Sequence, residues 1–222
     1  MHEYQKTQAY WDDVFEQEKP KIIKEGKTHH DVLDKALDWL MEDTLSVIDF
    51  GCGNGNLLGV IAKRQNGNYV GIDQAVNGVC NARKLFRINE FNKGTFIQGS
   101  VEKLETFNEN YFDAGILSNI LDNLKPKDVK RLLIEMHRVV KPGGKVLVKL
   151  NAYLKQDLID QYAMQSVEQD VYLETSGLYL FNKPSVYWEE RLEEHFIIKT
   201  KAMMTYENYQ LENRLFYLIN KA

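Results

Sequence analysis

The stretch "VIDFGCGNGN", residues 47–56, joins a short apolar run to three glycines at alternate positions. Asp49 stands two residues before the first of these glycines, Gly51. A strand that ends in glycines and leads into a helix places free backbone N–H groups and the positive end of the helix against a ligand. The stretch predicts a loop for a dinucleotide, a nucleoside triphosphate or another adenosine cofactor, or else only a tight turn.

Strand-like and helical patterns alternate from residue 45 to residue 150. Right-handed crossovers leave few alternatives to a parallel sheet covered by helices on both faces. Two strand-like segments near the C-terminus, 196–204 and 213–220, are joined by a polar loop at about 205–212 without a helix, so we expect them to pair antiparallel. The strands predicted before them are 45–50, 69–73, 95–99, 111–118 and 144–150, and "KPGG" at 141–144 is predicted to end the preceding helix.

Two segments do not follow the alternation. Residues 1–43 are predicted to be helical, with Thr28 capping a second helix, and to form a lid on a core of residues 44–222. Residues 151–185 are predicted to be an insertion that caps the substrate, with a hairpin around a turn at Ser176 and Gly177. Its aromatic side chains could line an acceptor pocket or form the hairpin's own small core; they are Tyr153, Tyr162, Tyr172, Tyr179 and Phe181.

Composition excludes several classes of protein. The formal net charge is -4, and lysines and arginines are scattered, so nucleic acid is not an expected partner. No signal peptide and no apolar run of about 18 residues is evident, which predicts a cytoplasmic protein without a membrane segment. Cys52 and Cys80 have no metal-ligand spacing, so we expect neither a metal site nor a disulfide.

Asp73 ends the second predicted strand, 18 residues after Gly55 (73 − 55 = 18). A carboxylate there can accept hydrogen bonds from both hydroxyls of a ribose, each contributing roughly 1.5–3 kcal/mol. Three details argue against NAD: the glycines are spaced G-x-G-x-G, Asp49 would repel a pyrophosphate, and no second mononucleotide-binding half follows. They favour a cofactor that has a cationic part and no phosphate.

Five successive motifs resemble those of class I S-adenosylmethionine-dependent methyltransferases. They are "VIDFGCGNGNLL", "YVGIDQA", "FIQGSVEKL", "YFDAGILSNIL" and "HRVVKPGGKVLVKL", and they span about residues 45–150. The resemblance implies an α/β fold with a Rossmann-like, seven-stranded, mostly parallel sheet of order 3-2-1-4-5-7-6, with strand 7 antiparallel and helices on both faces. It also implies S-adenosyl-L-methionine as the cofactor and S-adenosyl-L-homocysteine as its product.

The resemblance also assigns cofactor-binding positions. By position, Asp49 would lie near the ammonium of the cofactor, Asp73 would bind its ribose, and Gln74 would lie beside its adenine. Ser100 departs from the family's common Asp, so a hydroxyl or main-chain group would have to replace that contact. The predicted cofactor set is Asp49, Gly51, Cys52, Gly53, Asn54, Gly55, Asp73, Gln74, Ser100, Val101, Ser118 and, as part of an aromatic lid, Trp11.

No catalytic residue is evident, because a sulfonium already activates its methyl group and the protein mainly positions the nucleophile. His30 and Asn119 are the candidates; a base is needed only if the acceptor arrives protonated, and a solvated histidine at a helix start is the alternative for His30. The absence of an N/D-P-P-Y/F motif argues against nucleobase or glutamine-amide acceptors. Candidate substrate residues are Tyr10, Asn119, Asn151, Tyr153 and Tyr179.

The sequence thus predicts a metal-independent methyltransferase for a small-molecule acceptor. Three rivals stay open: a methyltransferase for RNA or protein, a non-catalytic adenosine-cofactor-binding module, and an NAD-dependent oxidoreductase. The third is disfavoured by Asp49 and by the spacing of the glycines.

Overall fold

A computed structural model describes residues 4–206 and 211–222. It forms a seven-stranded sheet and a separate three-stranded sheet. The helices are α1 Gln5–Gln17, α2 Asp31–Met41, α3 Asn56–Arg64, α4 Val76–Ile88, α5 Pro126–Val139, α6 Gln156–Gln161 and α7 Ser185–Leu192. The strands are β1 Ser46–Phe50, β2 Asn68–Asp73, β3 Gly94–Gln98, β4 Phe112–Ser118, β5 Val140–Leu150, β6 Gln165–Glu168, β7 Val171–Leu173, β8 Tyr179–Phe181, β9 Phe196–Tyr206 and β10 Leu211–Asn220.

The large sheet has the order β3-β2-β1-β4-β5-β10-β9. Strands β1 to β5 are parallel, whereas β10 runs antiparallel to both β5 and β9. Counted along the large sheet alone, β9 and β10 are its sixth and seventh strands. The predicted order 3-2-1-4-5-7-6 with an antiparallel seventh strand is therefore confirmed.

Helices cover both faces of this sheet because successive strand residues point to opposite sides. Ile48 belongs to a core with Leu132 of α5 and Trp188 of α7. Its neighbour Val47 belongs to a second core with Leu37 of α2 and Leu58 of α3. The carboxyl ends of β1, β2 and β4 meet at one edge between these layers, where the loops that follow them are free to form a site.

The N-terminal segment is helical only in part. The prediction over residues 1–43 is wrong for 18–30, which run without helix from α1 to α2, and residues 1–3 lie outside the described chain. Pro20 has no N–H to donate to a helix, and Asn89 of α4 instead accepts the Ile23 N–H at 2.7 Å. Thr28 is not the cap: His30 holds that position, and the Thr28 N–H donates to Asp34 Oδ1 at 2.9 Å.

The hairpin around Ser176 and Gly177 is confirmed, since β7 and β8 pair antiparallel. The sequence pattern missed β6, which pairs with β7 and is exposed on both faces, so no apolar alternation marks it. Strand β5 begins at Val140 rather than 144, and a register shift beside Phe112 accommodates the "KPGG" segment.

Near the C-terminus, β9 and β10 extend into the predicted polar loop at both ends, and the middle of that loop, 207–210, lies outside the described residues. Within 4–206 and 211–222, no helix combines the length and apolar character that crossing a membrane requires.

Candidate functional site

The glycine loop after β1 closes onto the end of β2. The N–H groups of Gly51 and Cys52 both donate to the carbonyl oxygen of Ile72, at 2.8 and 3.0 Å. The Gly53 N–H donates to Oδ2 of Asp73 at 2.7 Å. The expectation of free N–H groups is therefore wrong for these three residues, whose donors hold the loop itself together.

Two glycines of this loop lie where the side chain of any other residue would block the close approach of a neighbouring segment. Gly53 has φ +51°, and a Cβ there would lie 2.7 Å from Cζ of Phe15 on α1. Gly51 has φ +80°, and its Cβ would lie 3.1 Å from Cδ1 of Ile120 after β4. These backbone conformations are strained for other residues. The glycines thus let α1 and the segment after β4 close on the loop.

Asp73 is a hydrogen-bonded carboxylate. Its Oδ1 accepts the Ala75 N–H at 2.8 Å, while Oδ2 holds Gly53. Burial raises the pKa of Asp73, and the charge of Asp12 adds to this, although the N–H bonds from Ala75 and Gly53 oppose it. A carboxylate has about four lone-pair sites, so each oxygen can still accept a hydroxyl.

Asp49 differs sharply from Asp73. It is only 1% exposed, and neither carboxylate oxygen has a hydrogen-bond partner. Burial raises its pKa to about 8, and the nearby charge of Asp73 adds to the rise. An isolated buried carboxylate is costly unless a positive group compensates it. This orphaned acid therefore fits a ligand that carries a cationic group.

The cavity beside the loop is closed on one side by α1. The side chains of Tyr4, Trp11 and Phe15 follow each other at intervals of seven and four residues, so they share one face of the helix. The ring of Trp11 stacks on that of Phe15 with centroids 5.5 Å apart. On the opposite side, Asp12 Oδ1 accepts the Asn77 N–H of α4 at 2.9 Å. Helix α1 is thus tied to the core while its aromatic face lines the cavity.

A second cavity adjoins the first and shares Trp11, Asn119 and Asn123 with it. Apolar side chains and a few polar groups line the remainder, which lies between the ends of the large sheet and the three-stranded sheet. The other lining residues are Asn151, Ala152, Leu154, Tyr162, Met164, Glu174, Thr175, Leu178, Leu180, Leu211 and Asn213. Asn119 therefore lies at the junction of a cavity at the glycine loop and one beneath the 151–185 segment.

The structure brings together seven of the predicted cofactor or substrate residues. They come from α1, the glycine loop and the ends of β2 and β4. The seven that line the first cavity are Trp11, Gly51, Gly53, Asp73, Gln74, Ser118 and Asn119. Asn151 lines the second cavity.

The other predicted loop residues, Asp49 among them, lie around the first cavity without lining it. Cys52 is buried, and burial raises the pKa of its thiol. Asn54 donates its side-chain amide to Glu18, and Gly55 begins α3. Ser100 donates its N–H to Glu102 Oε1 at 3.0 Å, and Val101 is part of the core.

The remaining predicted substrate and catalytic residues also lie outside both cavities. Tyr10 packs edge-on against Trp11, and Tyr179 packs edge-on against Tyr4. Tyr153 is 48% exposed. His30 contacts the carbonyl oxygen of Thr205 at 3.3 Å, at the edge formed by β9, so the structure gives it no contact with the cavities.

The sequence analysis missed several lining residues. Tyr4, Thr7, Gln8 and Phe15 lie on the same helix as Trp11, and their helical spacing was the signal that could have found them. Asn123 and Leu124 follow β4 and carried no such signal. Among the described residues, no group of three or more His, Cys, Asp and Glu side chains could hold a metal ion.

Comparison with known proteins places residues 48–148 in a family model described as a methyltransferase domain. These residues form a methyltransferase domain, as the resemblance to class I S-adenosylmethionine-dependent methyltransferases implies. The matched residues begin within β1 and end within β5, so they include the glycine loop, Asp73 and Asn119. The family resemblance expected from the five motifs is therefore confirmed.

Individual methyltransferases resemble the chain at modest identity. Ribosomal protein L11 methyltransferase from Paraburkholderia phytofirmans is 29% identical over 156 residues, 68% of this chain and 48% of that protein. The 2-phytyl-1,4-naphtoquinone methyltransferase from Thermosynechococcus vestitus is 26% identical over 144 residues, 64% of this chain and 62% of that protein. The chain thus spans about half to three fifths of the length of these relatives.

A solved methyltransferase structure shares the fold of this chain. It is the 1,6-didemethyltoxoflavin-N1-methyltransferase from Burkholderia thailandensis, with bound 1,6-didemethyltoxoflavin and S-adenosylhomocysteine. The two align with a TM-score of 0.69 at 14% identity, covering 88% of this chain and 80% of that one. At this identity the match supports the fold.

Proposed function

We propose that this chain transfers the methyl group of S-adenosyl-L-methionine to a small-molecule acceptor, leaving S-adenosyl-L-homocysteine. The observation that carries the proposal is the pair of adjoining cavities. One contains the glycine loop and Asp73, the other lies beneath the 151–185 segment, and Trp11, Asn119 and Asn123 line both. A donor and an acceptor held in such neighbouring spaces would meet at Asn119.

The first cavity suits the cofactor's distinct chemical groups. Asp73 would accept the ribose hydroxyls while its existing bonds hold the loop, and Gln74 would lie beside the adenine. Asp49 would supply negative charge for the ammonium, since its buried oxygens have no other partner. The bound sulfonium supplies an activated methyl group, so the chain's contribution is to bind, orient and exclude water.

We propose that α1 acts as the lid of this site and residues 151–185 as its substrate cap. Tyr4 donates its hydroxyl to Asp128 Oδ2 at 2.7 Å. Thr7 donates its hydroxyl to the carbonyl oxygen of Gly177 at 2.8 Å. Lid and cap are therefore joined to each other and to α5, and ordering one would favour ordering the other.

The second cavity favours a small acceptor with both apolar and polar parts. Its walls carry Ala152, Leu154 and Leu180 beside the polar groups of Asn151 and Glu174. Such mixed lining is typical of small-molecule sites. Relatives whose names include a naphthoquinone or didemethyltoxoflavin acceptor are consistent with this class.

A protein or RNA acceptor is the second candidate. It is favoured by the similarity to a ribosomal protein L11 methyltransferase and to the tRNA N(3)-methylcytidine methyltransferase trm140 of Schizosaccharomyces pombe, 25% identical over 150 residues. Such an acceptor would have to reach Asn119 from outside the cap. The scattered charge makes it the weaker candidate.

Two measurements test the proposal. Titration calorimetry should show binding of S-adenosylhomocysteine and none of NADH; the reverse result would reject the cofactor. Incubation with methyl-labelled cofactor and separate metabolite, tRNA and ribosomal fractions should then label the metabolite fraction. Label confined to tRNA or ribosomal protein would move the function to the second candidate, and no label in any fraction would favour a binding module.

A further inference from the structure

Asn119 is held by hydrogen bonds through its backbone N–H, its carbonyl oxygen and its side-chain Oδ1. Its N–H donates to the carbonyl oxygen of Lys149 at 2.7 Å, and its own carbonyl oxygen accepts Nδ2 of Asn123 at 2.7 Å. Its side-chain Oδ1 accepts Nζ of Lys149 at 2.8 Å. The backbone at Asn119 is left-handed, with φ +54°, a conformation that asparagine tolerates better than most residues.

Lys149 determines which end of the Asn119 amide faces the cavities. The oxygen and nitrogen of a side-chain amide are normally distinguished only through their hydrogen-bond partners. A lysine ammonium can only donate, so the atom that it contacts must be the oxygen. The Nδ2 of Asn119 consequently points away from Lys149, and within the described residues it has no protein acceptor.

Burying the ammonium of Lys149 costs more free energy than burying an apolar side chain at the same position. Lys149 is 7% exposed and has no carboxylate within ion-pairing distance among the described residues. Asp122, from the segment after β4, is the charged group that acts on Lys149, and Arg214 of β10 acts in turn on Asp122. Asp122 accepts the Asn151 N–H at 2.6 Å, and Arg214 donates to the carbonyl oxygens of Asn151 and Lys183. The other oxygen of Asp122, Oδ1, is buried without a hydrogen-bond partner, and the ammonium of Lys149 donates to Asn119.

We propose that Lys149 is a positioning residue, which holds the Asn119 amide with its NH₂ toward the junction of the two cavities. The site therefore takes an acceptor with an anionic oxygen beside its methyl-accepting atom. The inference rests on the proposed function for the identity of the reaction. The amide supplies the donor, and the buried positive charge behind it makes that donor stronger and selects negative over neutral oxygen.

The reaction balances without a further reagent. An electron pair of the acceptor forms the bond to the methyl carbon, and the carbon–sulfur bond breaks with its electron pair kept by sulfur, which becomes a neutral thioether. When the negative charge of that oxygen is delocalised onto the attacking atom, as in an enolate, the attacking atom has no proton to lose. This explains how the site can work with Asn119, which is no base, at the junction.

The test observes the Asn119 amide directly by ¹⁵N NMR of the full chain, with the side-chain signals assigned through its own backbone resonances. Burial lowers the pKa of Lys149 to about 8, whereas that of Asp122 is about 6. Between about pH 6.5 and 9.5 the Asn119 NH₂ signals should therefore shift with a midpoint near 8. The shift should persist in Asp49→Asn, which removes the titration of Asp49, whose pKa is also about 8. A flat response in the unmodified protein would overturn the proposal, whether or not any variant folds.

Variants of Lys149 separate positioning from packing. Benzoate and toluene serve as probes that differ in the anionic oxygen. Benzoate should shift the Asn119 NH₂ signals strongly and toluene should not, and Lys149→Met should reduce the benzoate effect at least about fivefold. Lys149→Arg retains a permanent donor, so it should restore the response to benzoate and abolish the response to pH. An equal benzoate shift in Lys149→Met would overturn the positioning role.

The proposed function is tested separately by S-adenosylhomocysteine calorimetry on the same samples. Loss of cofactor binding together with an intact pH and benzoate response at Asn119 would reject methyl transfer and retain the oriented amide. Normal cofactor binding with a flat pH response at Asn119 would retain methyl transfer and reject the oriented amide.

Discussion

The two cavities that meet at Asn119 are built in different ways. The first contains the glycine loop, which is held by hydrogen bonds from the N–H groups of Gly51 and Cys52 to Ile72 and from that of Gly53 to Asp73. The second is lined by residues that follow β5 and α6, by the hairpin of β7 and β8, and by β10. The glycine loop depends on a few glycines and acids, so it tolerates little substitution. The lining of the second cavity can be exchanged to suit another acceptor while the sheet stays intact.

The largest expected effect on cofactor binding comes from changing Asp49. Asp49→Asn keeps the shape and removes the charge, so we expect S-adenosylhomocysteine binding to weaken by about a hundredfold or more. The same change should raise the free energy of unfolding of the cofactor-free protein by about 1–4 kcal/mol, because ionisation of Asp49 favours the unfolded chain. Calorimetry and denaturant unfolding measure the two effects. Equal affinity for both proteins would contradict the role of Asp49 in the first cavity.

The pH dependence of stability sharpens this prediction. The folded pKa of Asp49, about 8, exceeds the ordinary aspartate value of 3.8, so the folded protein holds the proton more tightly. Stability should therefore fall as the pH rises, by up to about 1.4 kcal/mol per pH unit, and level off above about 8. Between about pH 6.5 and 8, above the pKa of about 6 for Asp122, the slope should be smaller in Asp49→Asn. Parallel unfolding curves for the two proteins would contradict it.

Filling the second cavity should leave the first unaffected. Leu178 lines the second cavity and is half-buried, so Leu178→Trp can extend into it without replacing a core residue. Methyl transfer to the labelled metabolite should fall by about tenfold to a hundredfold, while S-adenosylhomocysteine affinity stays within about twofold. Val186→Trp is the matched control, because Val186 is 61% exposed on α7 and lines neither cavity. Loss of both properties in Leu178→Trp would show that the cavities are not separable.

Asp73 should have a somewhat smaller effect on cofactor binding than Asp49. Asp73→Ala removes the proposed ribose acceptor and the bond to Gly53, so affinity should fall by about tenfold to a hundredfold. Asp12→Asn is a useful control, since it removes a neighbouring charge without removing the acceptor. Calorimetry that finds Asp73→Ala unchanged would reject the ribose contact.

The smallest effect is expected from the lid. Trp11→Ala should weaken S-adenosylhomocysteine binding by about tenfold, because the indole contributes apolar contact to the first cavity. Tyr10→Ala changes the adjacent aromatic ring, which packs on Trp11 but does not line the cavity, and should cost less than about threefold. Equal losses would mean that α1 acts only through its overall packing on α4.

The first cavity was more predictable from sequence than the second for a physical reason. Its parts lie at the ends of β1, β2 and β4, so the spacing between Gly51, Asp73 and Ser118 reflects the regular alternation of strands and helices. The order of the sheet followed from the same alternation and from the two terminal strands. Neither result required knowledge of distant contacts.

The parts that escaped prediction depend on such contacts. Phe15 reaches Gly53 only because α1 crosses over the loop. Leu211 and Glu174 line one cavity although 37 residues (211 − 174 = 37) separate them in sequence. Lys149 looks like an ordinary alternation break in an apolar strand, and only its contact with Asn119 distinguishes it from a solvent-facing lysine.

The buried acid of the glycine loop has one more consequence, for how ligand and solvent exchange. With a pKa of about 8, Asp49 holds a proton in most molecules of the free protein near pH 7. A cationic ligand next to it would favour the ionised carboxylate, so each binding event would release that proton to the buffer. Cofactor binding would then be coupled to the release of one proton, and the net charge buried in the site would change little.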